Sequence, residues 1–242
     1  MSSHTHPFVS IVTPTYNRRA FIPYLIKCVL NQNYPKDRLE WVVLDDGSDS
    51  VEDVFKEHAK SLPFLKYIYS AEKKLIGAKR NRLNLESKGE IIVAMDDDDY
   101  YPPDRVSHVV QKFKHYPKVE LAGSSEIYMY YTDIKRIYKL GPYNLNHATN
   151  GTMAWRRSYA LGHAYDETVT HAEEKSFLEA YRHPMIQLDP RKVMLVLSHS
   201  DNTFNKTKMR DDPNNPFVKT TILKLRDFIK EIDLRKFYSD LH

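Results

Sequence analysis

The sequence predicts an α/β fold: a Rossmann-like three-layer α/β/α sandwich around a mostly parallel central sheet, with a C-terminal helical extension. Three observations predict it. Apolar runs suited to buried strands alternate with amphipathic helical stretches through about residue 115. Three of those runs end in polar loops, at 15–18, 45–49 and 96–99, and a parallel sheet delivers such loops to one edge, where α/β proteins bind ligands. The chain has 242 residues, 41% hydrophobic and 28% charged, enough for a sizeable core without disulfides.

The elements follow in order. Residues 8–13 read as a strand, stopped by Pro14 and the polar 15–18. A helix follows in which Phe21, Leu25, Cys28 and Val29 share one apolar face, so Cys28 is expected as a buried core thiol. Residues 40–44 are a second strand, with a short helix over 51–60 for which Ser48 and Asp49 are the expected caps. Residues 64–69 form a third strand and 76–87 a helix stopped by Lys88-Gly89. The run 91–95 is a fourth strand. Pro102-Pro103-Asp104 then opens a helix with Val106, Val109, Val110 and Phe113 on one face. The second half is less regular. Strands are expected at 127–131, 134–140, 152–155, 185–188 and 193–197, a helix over 173–181, and a polar loop over 201–216. One amphipathic helix is expected from 217 to 238. The division that results is a domain over 1–200, with halves at about 8–115 and 116–200, followed by a 201–242 extension.

Four consecutive aspartates, Asp96 to Asp99, end the fourth strand. Adjacent carboxylates repel and resist desolvation, so such a cluster needs water or a cation. Strand alternation places Asp96 and Asp98 on one side, where they suit a hard divalent ion that keeps positions for water and phosphate oxygens. An EF-hand is excluded, because Tyr101 and Ser107 stand where its glycine and glutamate belong. The net charge of +4 holds no long basic block, so nucleic acid is not an expected partner. A single cysteine permits no intrachain disulfide and fits a reducing, cytoplasmic setting. No apolar run reaches the length of a membrane span, no signal peptide is read at the start, and the amino-terminal histidines read as a frayed end.

Five segments together resemble the family 2 glycosyltransferases, which have the GT-A fold. They are 9–18 (VSIVTPTYNR), 43–49 (VLDDGSD), 77–81 (GAKRN), 95–99 (MDDDD) with Pro103 shortly after, and Glu173-Glu174 opening a helix. The resemblance covers roughly residues 8–200. It implies transfer, with inversion, of a sugar from a nucleotide-diphosphate sugar (UDP favoured) to a hydroxyl of a glycan or other acceptor. It also implies Mn²⁺ or Mg²⁺.

Residue by residue, the resemblance makes Pro14, Tyr16 and Asn17 a frame for the nucleotide, with Tyr16 stacking on the base. It makes Asp46 the contact to base N–H groups and Arg80 the donor-site arginine; Lys79 is read as a solvated helix residue. Asp96 and Asp98 match the DXD motif, Asp98 as direct metal ligand and Asp96 toward the ribose or a metal-bound water. Asp97 and Asp99 lie behind them, or Asp99 caps the next turn. His199 becomes a third metal ligand or a phosphate contact. Glu174 stands at the position of the family base, with Glu173 its competitor because the family more commonly shows Glu-Asp there. Trp155 and Arg156, with Arg157, fall where the family places its acceptor wall.

A nucleotidyltransferase of similar fold is the competing enzyme, although no glycine-rich phosphate loop follows the first strand. A cation-dependent sugar-binding module leaves Arg80 and the glutamate pair unexplained, and a plain interaction protein leaves the aspartates solvated. Mixed charges on the last helix favour packing on the core or a dimer contact, with peripheral membrane contact as the alternative.

Overall fold

The computed structural model describes residues 6–200, 202 and 206–241. The expected frayed start up to residue 5 and part of the expected 201–216 loop lie outside them. The strands are β1 (Val9–Thr15), β2 (Leu39–Asp45), β3 (Leu65–Tyr69), β4 (Ile91–Ala94), β5 (Leu121–Gly123), β6 (Ile127–Tyr131), β7 (Arg136–Leu140), β8 (Ala154–Arg156), β9 (Met185–Gln187), β10 (Leu195–Ser198) and β11 (Val218–Thr220). The first four helices of the described residues are α1 (Ile22–Leu30), α2 (Glu52–Glu57), α3 (Ile76–Glu86) and α4 (Arg105–His115).

The main sheet has the order β3-β2-β1-β4-β8-β5-β9. Strands β1 to β4 run parallel, and β8 runs against both of its neighbours, β4 and β5. Every residue of β1, β2 and β4 is buried, as central strands covered on both faces require. Alternation splits them between two apolar layers. Ile11, Trp41, Val43 and Val93 face one, and Val12, Val42, Leu44 and Ile92 face the other. A second sheet, β10-β6-β7-β11, closes the larger layer.

Register gathers the loops. Thr15 pairs with Asp45 and Val12 with Ala94, so three strands end side by side and their loops open along one edge. Cys28 is buried in the core as expected, and burial pushes its thiol up to about 12.

The expected helix over 173–181 shrinks to Glu174–Phe177, because Glu179, Ala180 and Tyr181 take left-handed φ values of 46°, 57° and 63°. Residues 190–193 form a helical turn capped by Asp189, and β10 starts only at Leu195. The single helix expected over 217–238 is three elements. Pairing with β7 draws Val218–Thr220 into a strand, and tertiary hydrogen bonds override helical periodicity. Asp227 accepts the Lys224 N–H (2.7 Å) to open a short helix, Leu225–Phe228, and Ile232–Asp240 follows. Ile222 and Ile232, expected on the buried face, are 93% and 76% exposed. Leu225, Ile229, Leu234 and Tyr238 nevertheless join the main core, so the extension is built into the domain.

That burial is testable. Leu234→Ala should lower stability by about 2–5 kcal/mol in urea unfolding, still in one transition. A separate early transition would mean that the C-terminal helix melts independently.

Candidate active site

The loops after β1 and β4, with the first turns of α3, line a cleft of about 430 Å³. Pro14, Tyr16, Asn17, Arg18, Lys79, Arg80, Asp96, Asp97 and Asp98 all face it. One aspartate organises its base. Asp45 accepts the N–H of Gly47 (2.9 Å) and of Val51 (3.0 Å) and the Tyr67 hydroxyl (2.5 Å). Asp45 thus holds the N–H of Val51 just ahead of α2, and Ser50 Oγ accepts the first helical N–H, of Glu52 (3.4 Å), the role expected of Ser48 or Asp49. Asn17, at φ 53°, takes the Asp49 N–H on its side-chain oxygen (3.1 Å). A Cβ on Gly47 would sit 2.7 Å from that oxygen, so only glycine allows the two loops to meet.

Asp46 is buried with both oxygens engaged, by Lys79 Nζ (2.8 Å) and by the Lys74 N–H (2.7 Å). Lys79 is 6% exposed, which corrects its reading as a solvated helix residue. Burying the Asp46 charge demands a cation, and α3 supplies one. Lys73 lies over the Tyr16 ring at 4.1 Å, so this cation occupies a ring face that was expected for base stacking.

Arg80 is the hub. Its Nε donates to Glu173 (2.8 Å) and its Nη1 to Asp96 (3.0 Å), and Asn150 beside it also reaches the Tyr165 hydroxyl. These donors are spent on protein carboxylates, where a phosphate or a base carbonyl of the donor was expected. A Cβ on Gly77 would lie 2.1 Å from the Asp166 carbonyl oxygen, so glycine lets α3 press against the segment that leads to Glu173. Arg105 was not foreseen. It is wholly buried beneath the aspartates, donates to the carbonyls of Ala94, Gly151 and Met153, and burial lowers it to about 10. Its only sequence signal was its place just after Pro102-Pro103-Asp104.

The four aspartates have separate fates. Asp96 is tied to Arg80. Burial, then the charge of Asp98, pushes the Asp97 carboxyl up. Burial also opposes ionisation of Asp98, but His199, Lys206 and Arg18 outweigh it and hold Asp98 low. Arg18 stands 3.8 Å from Asp97 and 3.7 Å from Asp98. Asp99 turns inward, accepts the Leu197 N–H (2.8 Å), and is structural.

The residues at Asp98 fit a divalent cation. The Asp98 carboxylate and His199 Nε2 approach to 3.4 Å, and crowded carboxylates with one nitrogen form a donor set suited to Mn²⁺. His199 Nδ1 is buried without a hydrogen-bond partner among the described residues, while the Asn202 side-chain nitrogen lies 2.8 Å from Nε2 and 3.2 Å from Asp98.

Glu173 and Glu174 differ in kind. Glu173 is 7% exposed and locked to Arg80. Glu174 has no cation within 4.0 Å of its carboxylate among the described residues, and burial, then the Glu173 charge, pushes it up to about 7. Trp155 and Arg156 do not join the site. Trp155 is 1% exposed, donates to Asn84 (3.1 Å) and packs on Phe177. Arg156 pairs with Ile91 at the start of β4, the end away from the aspartates, and donates to the carbonyls of Val119 and Phe113. The antiparallel course of β8 carries both away from an acceptor wall.

This sheet, its aspartate-ended β4 and its shared loop edge are those of the GT-A glycosyltransferases. The model of Glycosyl transferase family 2 matches residues 10–164, and the chain belongs to that family. WcaA of Escherichia coli K12, a candidate colanic acid biosynthesis glycosyl transferase, is 35% identical over 104 residues, 42% of this chain and 36% of WcaA. The glycosyltransferase AglE of Haloferax volcanii is 32% identical over 95 residues, 39% of this chain and 31% of AglE. The aligned stretch therefore spans about a third of these relatives' length. Among solved structures, S. aureus TarS 1-349 superposes with a TM-score of 0.64 at 19% identity, over 78% of this chain and 60% of that one. Mannosyltransferase PcManGT from Pyrobaculum calidifontis, in complex with GDP-Man and Mn²⁺, gives 0.63 at 19% identity, over 82% and 59%. TarS 1-349 is also known in complex with UDP-GlcNAc. These likenesses establish the shared fold. No helix among the described residues is long and apolar enough to cross a membrane.

Lys79→Met tests the buried pair beneath the cleft. Leaving Asp46 unpaired should cost about 3–5 kcal/mol in unfolding free energy. A loss under about 1 kcal/mol would show that water already reaches that carboxylate.

Proposed function

We propose that the chain is an inverting glycosyltransferase that moves a sugar from a nucleotide-diphosphate sugar to an acceptor hydroxyl, with Glu174 as general base. The observation that carries this reading is the contrast within the glutamate pair. Arg80 neutralises Glu173, while Glu174 is held near neutrality, where a base both accepts and releases a proton at physiological pH. Arg80 also joins that pair to Asp96 in the cleft, so acceptor activation and donor binding share one rigid link.

In this mechanism the nucleotide lies in the cleft beside Pro14, Tyr16 and Asn17, and Asp46 with Lys79 forms its polar floor. Glu174 takes the proton of the acceptor hydroxyl as its oxygen attacks the anomeric carbon, and the nucleoside diphosphate leaves from the opposite face. Arg18, beside Asp97 and Asp98, adds positive charge where the diphosphate would rest. Asp98 and His199, with Asp96 alongside, would hold a divalent ion, which when bound offsets the charge on the leaving group. Family membership and the missing glycine-rich loop weigh against nucleotidyl transfer. A UDP-sugar is the favoured donor; complexes of relatives with UDP-GlcNAc and with GDP-Man make UDP and GDP the first ligands to compare.

Calorimetric titration of UDP and GDP, with and without Mn²⁺, tests the donor site. One nucleotide should bind in a metal-dependent way that Asp98→Ala abolishes; binding unaffected by Asp98→Ala would remove the aspartates from the donor site.

Glu174→Gln should leave nucleotide affinity unchanged and lower kcat by about 10²–10⁴. The base works ionised, so kcat/KM should rise with pH and level off above about 7. A carboxyl raised in the folded state favours folding while protonated, and that contribution fades as pH climbs through about 7. Glu174→Gln should therefore be at least as stable as the parent at pH 8. Normal turnover by this variant would refute the assignment.

A further inference from the structure

Away from the cleft, His163, Glu179 and His183 bring three ligating atoms within 4.8 Å of one another. None of these residues lines the donor cleft or contributes to its aspartates. We propose that they form a second metal site, specific for a zinc-like ion, which staples the chain just beyond the glutamate pair.

The separations suit one ion. His183 Nε2 lies 3.1 Å from one Glu179 oxygen, and His163 Nε2 lies 3.7 Å from the other. Ligands on tetrahedral zinc, at bonds of about 2.0–2.2 Å, stand roughly 3.3 Å apart. Two imidazoles and a carboxylate with an open fourth position are a donor set for zinc, and the side chains remain 22%, 48% and 34% exposed, which admits the ion and a water ligand.

The surroundings orient the ligands. His163 Nδ1 is 2.8 Å from the Tyr159 carbonyl oxygen. A carbonyl only accepts, so Nδ1 carries a proton, and the neutral form of the ring would turn its Nε2 lone pair toward Glu179. Metal-bound histidines are commonly fixed by such a bond. The His163 ring lies flat on Tyr159 at 3.8 Å and 2°, and His183 meets the same ring edge-on at 5.3 Å. Tyr159 is itself buried and donates to the Phe177 carbonyl (2.7 Å), which anchors this platform to the helix begun by Glu174.

Glu179 reaches the site on strained backbone. It opens three successive non-glycine residues with positive φ. Strain of this kind persists where surrounding contacts over-determine it, and an ion shared by Glu179, His163 and His183 would add such a contact. His163 follows the helix Arg157–Gly162, whereas Glu179 and His183 follow the Glu174–Phe177 helix, so the ion would join two segments that Tyr159 and the stacked Tyr165–Phe177 pair already bring together.

The competing account is a pair of ion pairs from Glu179 to protonated histidines, with no metal. Chelator-treated Asp98→Ala protein, whose donor-site ligand is gone, is titrated with Zn²⁺ and separately with Co²⁺. The proposal expects one equivalent of either ion, an intense visible Co²⁺ band of four-coordinate type, and a higher Tm. His163→Gln, Glu179→Gln or His183→Gln should each weaken binding tenfold or more while circular dichroism shows the fold intact. The same titration of the unsubstituted protein should retain that band and lose it in His183→Gln. Absence of Zn²⁺ binding at millimolar concentration, or affinity unmoved by all three substitutions, overturns the site. Neither readout depends on sugar transfer.

Discussion

Arg80 is buried between carboxylates from two distant parts of the chain, Asp96 at the end of β4 and Glu173 ahead of a short helix. A guanidinium resists deprotonation even when buried, so the carboxylates must come to it. Once they do, the two carboxylates share one positive charge, which lowers the cost of desolvating all three groups. The rest of the site is arranged around this constraint. Gly77 lets α3 lie close to 166, Asn150 sits beside the guanidinium, and Glu174 alone of the glutamate pair lacks a close cation.

The floor of the cleft repeats the principle one helical position earlier. Lys79 reaches Asp46 as Arg80 reaches Asp96 and Glu173, so successive residues of α3 serve two loops. Consecutive helical residues point about a hundred degrees apart, which is why one turn can address both. Arg105 beneath them draws on carbonyls alone, and burial lowers its pKa where carboxylate partners raise that of Arg80.

Much of this was legible in the sequence, for physical reasons. β1, β2 and β4 are short apolar runs that end in polar residues, and the strand-helix alternation forces their loops together. Asp98, His199 and the glutamate pair carry chemistry in their residue types, so they could be named in advance. What escaped was set by contacts between distant segments. Lys79 looks solvated until Asp46 is placed beside it. Trp155 and Arg156 seemed to face the acceptor until β8 was found antiparallel, with its start rather than its end near the site. The last helix divided because β7 offered Val218 hydrogen bonds that no periodicity records. The zinc-like cluster depends on left-handed turns at 179–181, which no local propensity would forecast for Glu-Ala-Tyr.

The antiparallel strand also governs how the molecule can be cut or recombined. β8 arrives late in the chain yet inserts between β4 and β5. A chain ended after α4 would keep the loops that follow β1, β2 and β4, though not His199, and it would leave Ile91–Ala94, four residues buried in the intact sheet, as an unpaired edge open to strands of other molecules. The nucleotide-facing half is thus no portable module. Any graft that exchanges the acceptor half for another must bring a strand to seal β4, or the donor half will associate through that edge before it binds anything.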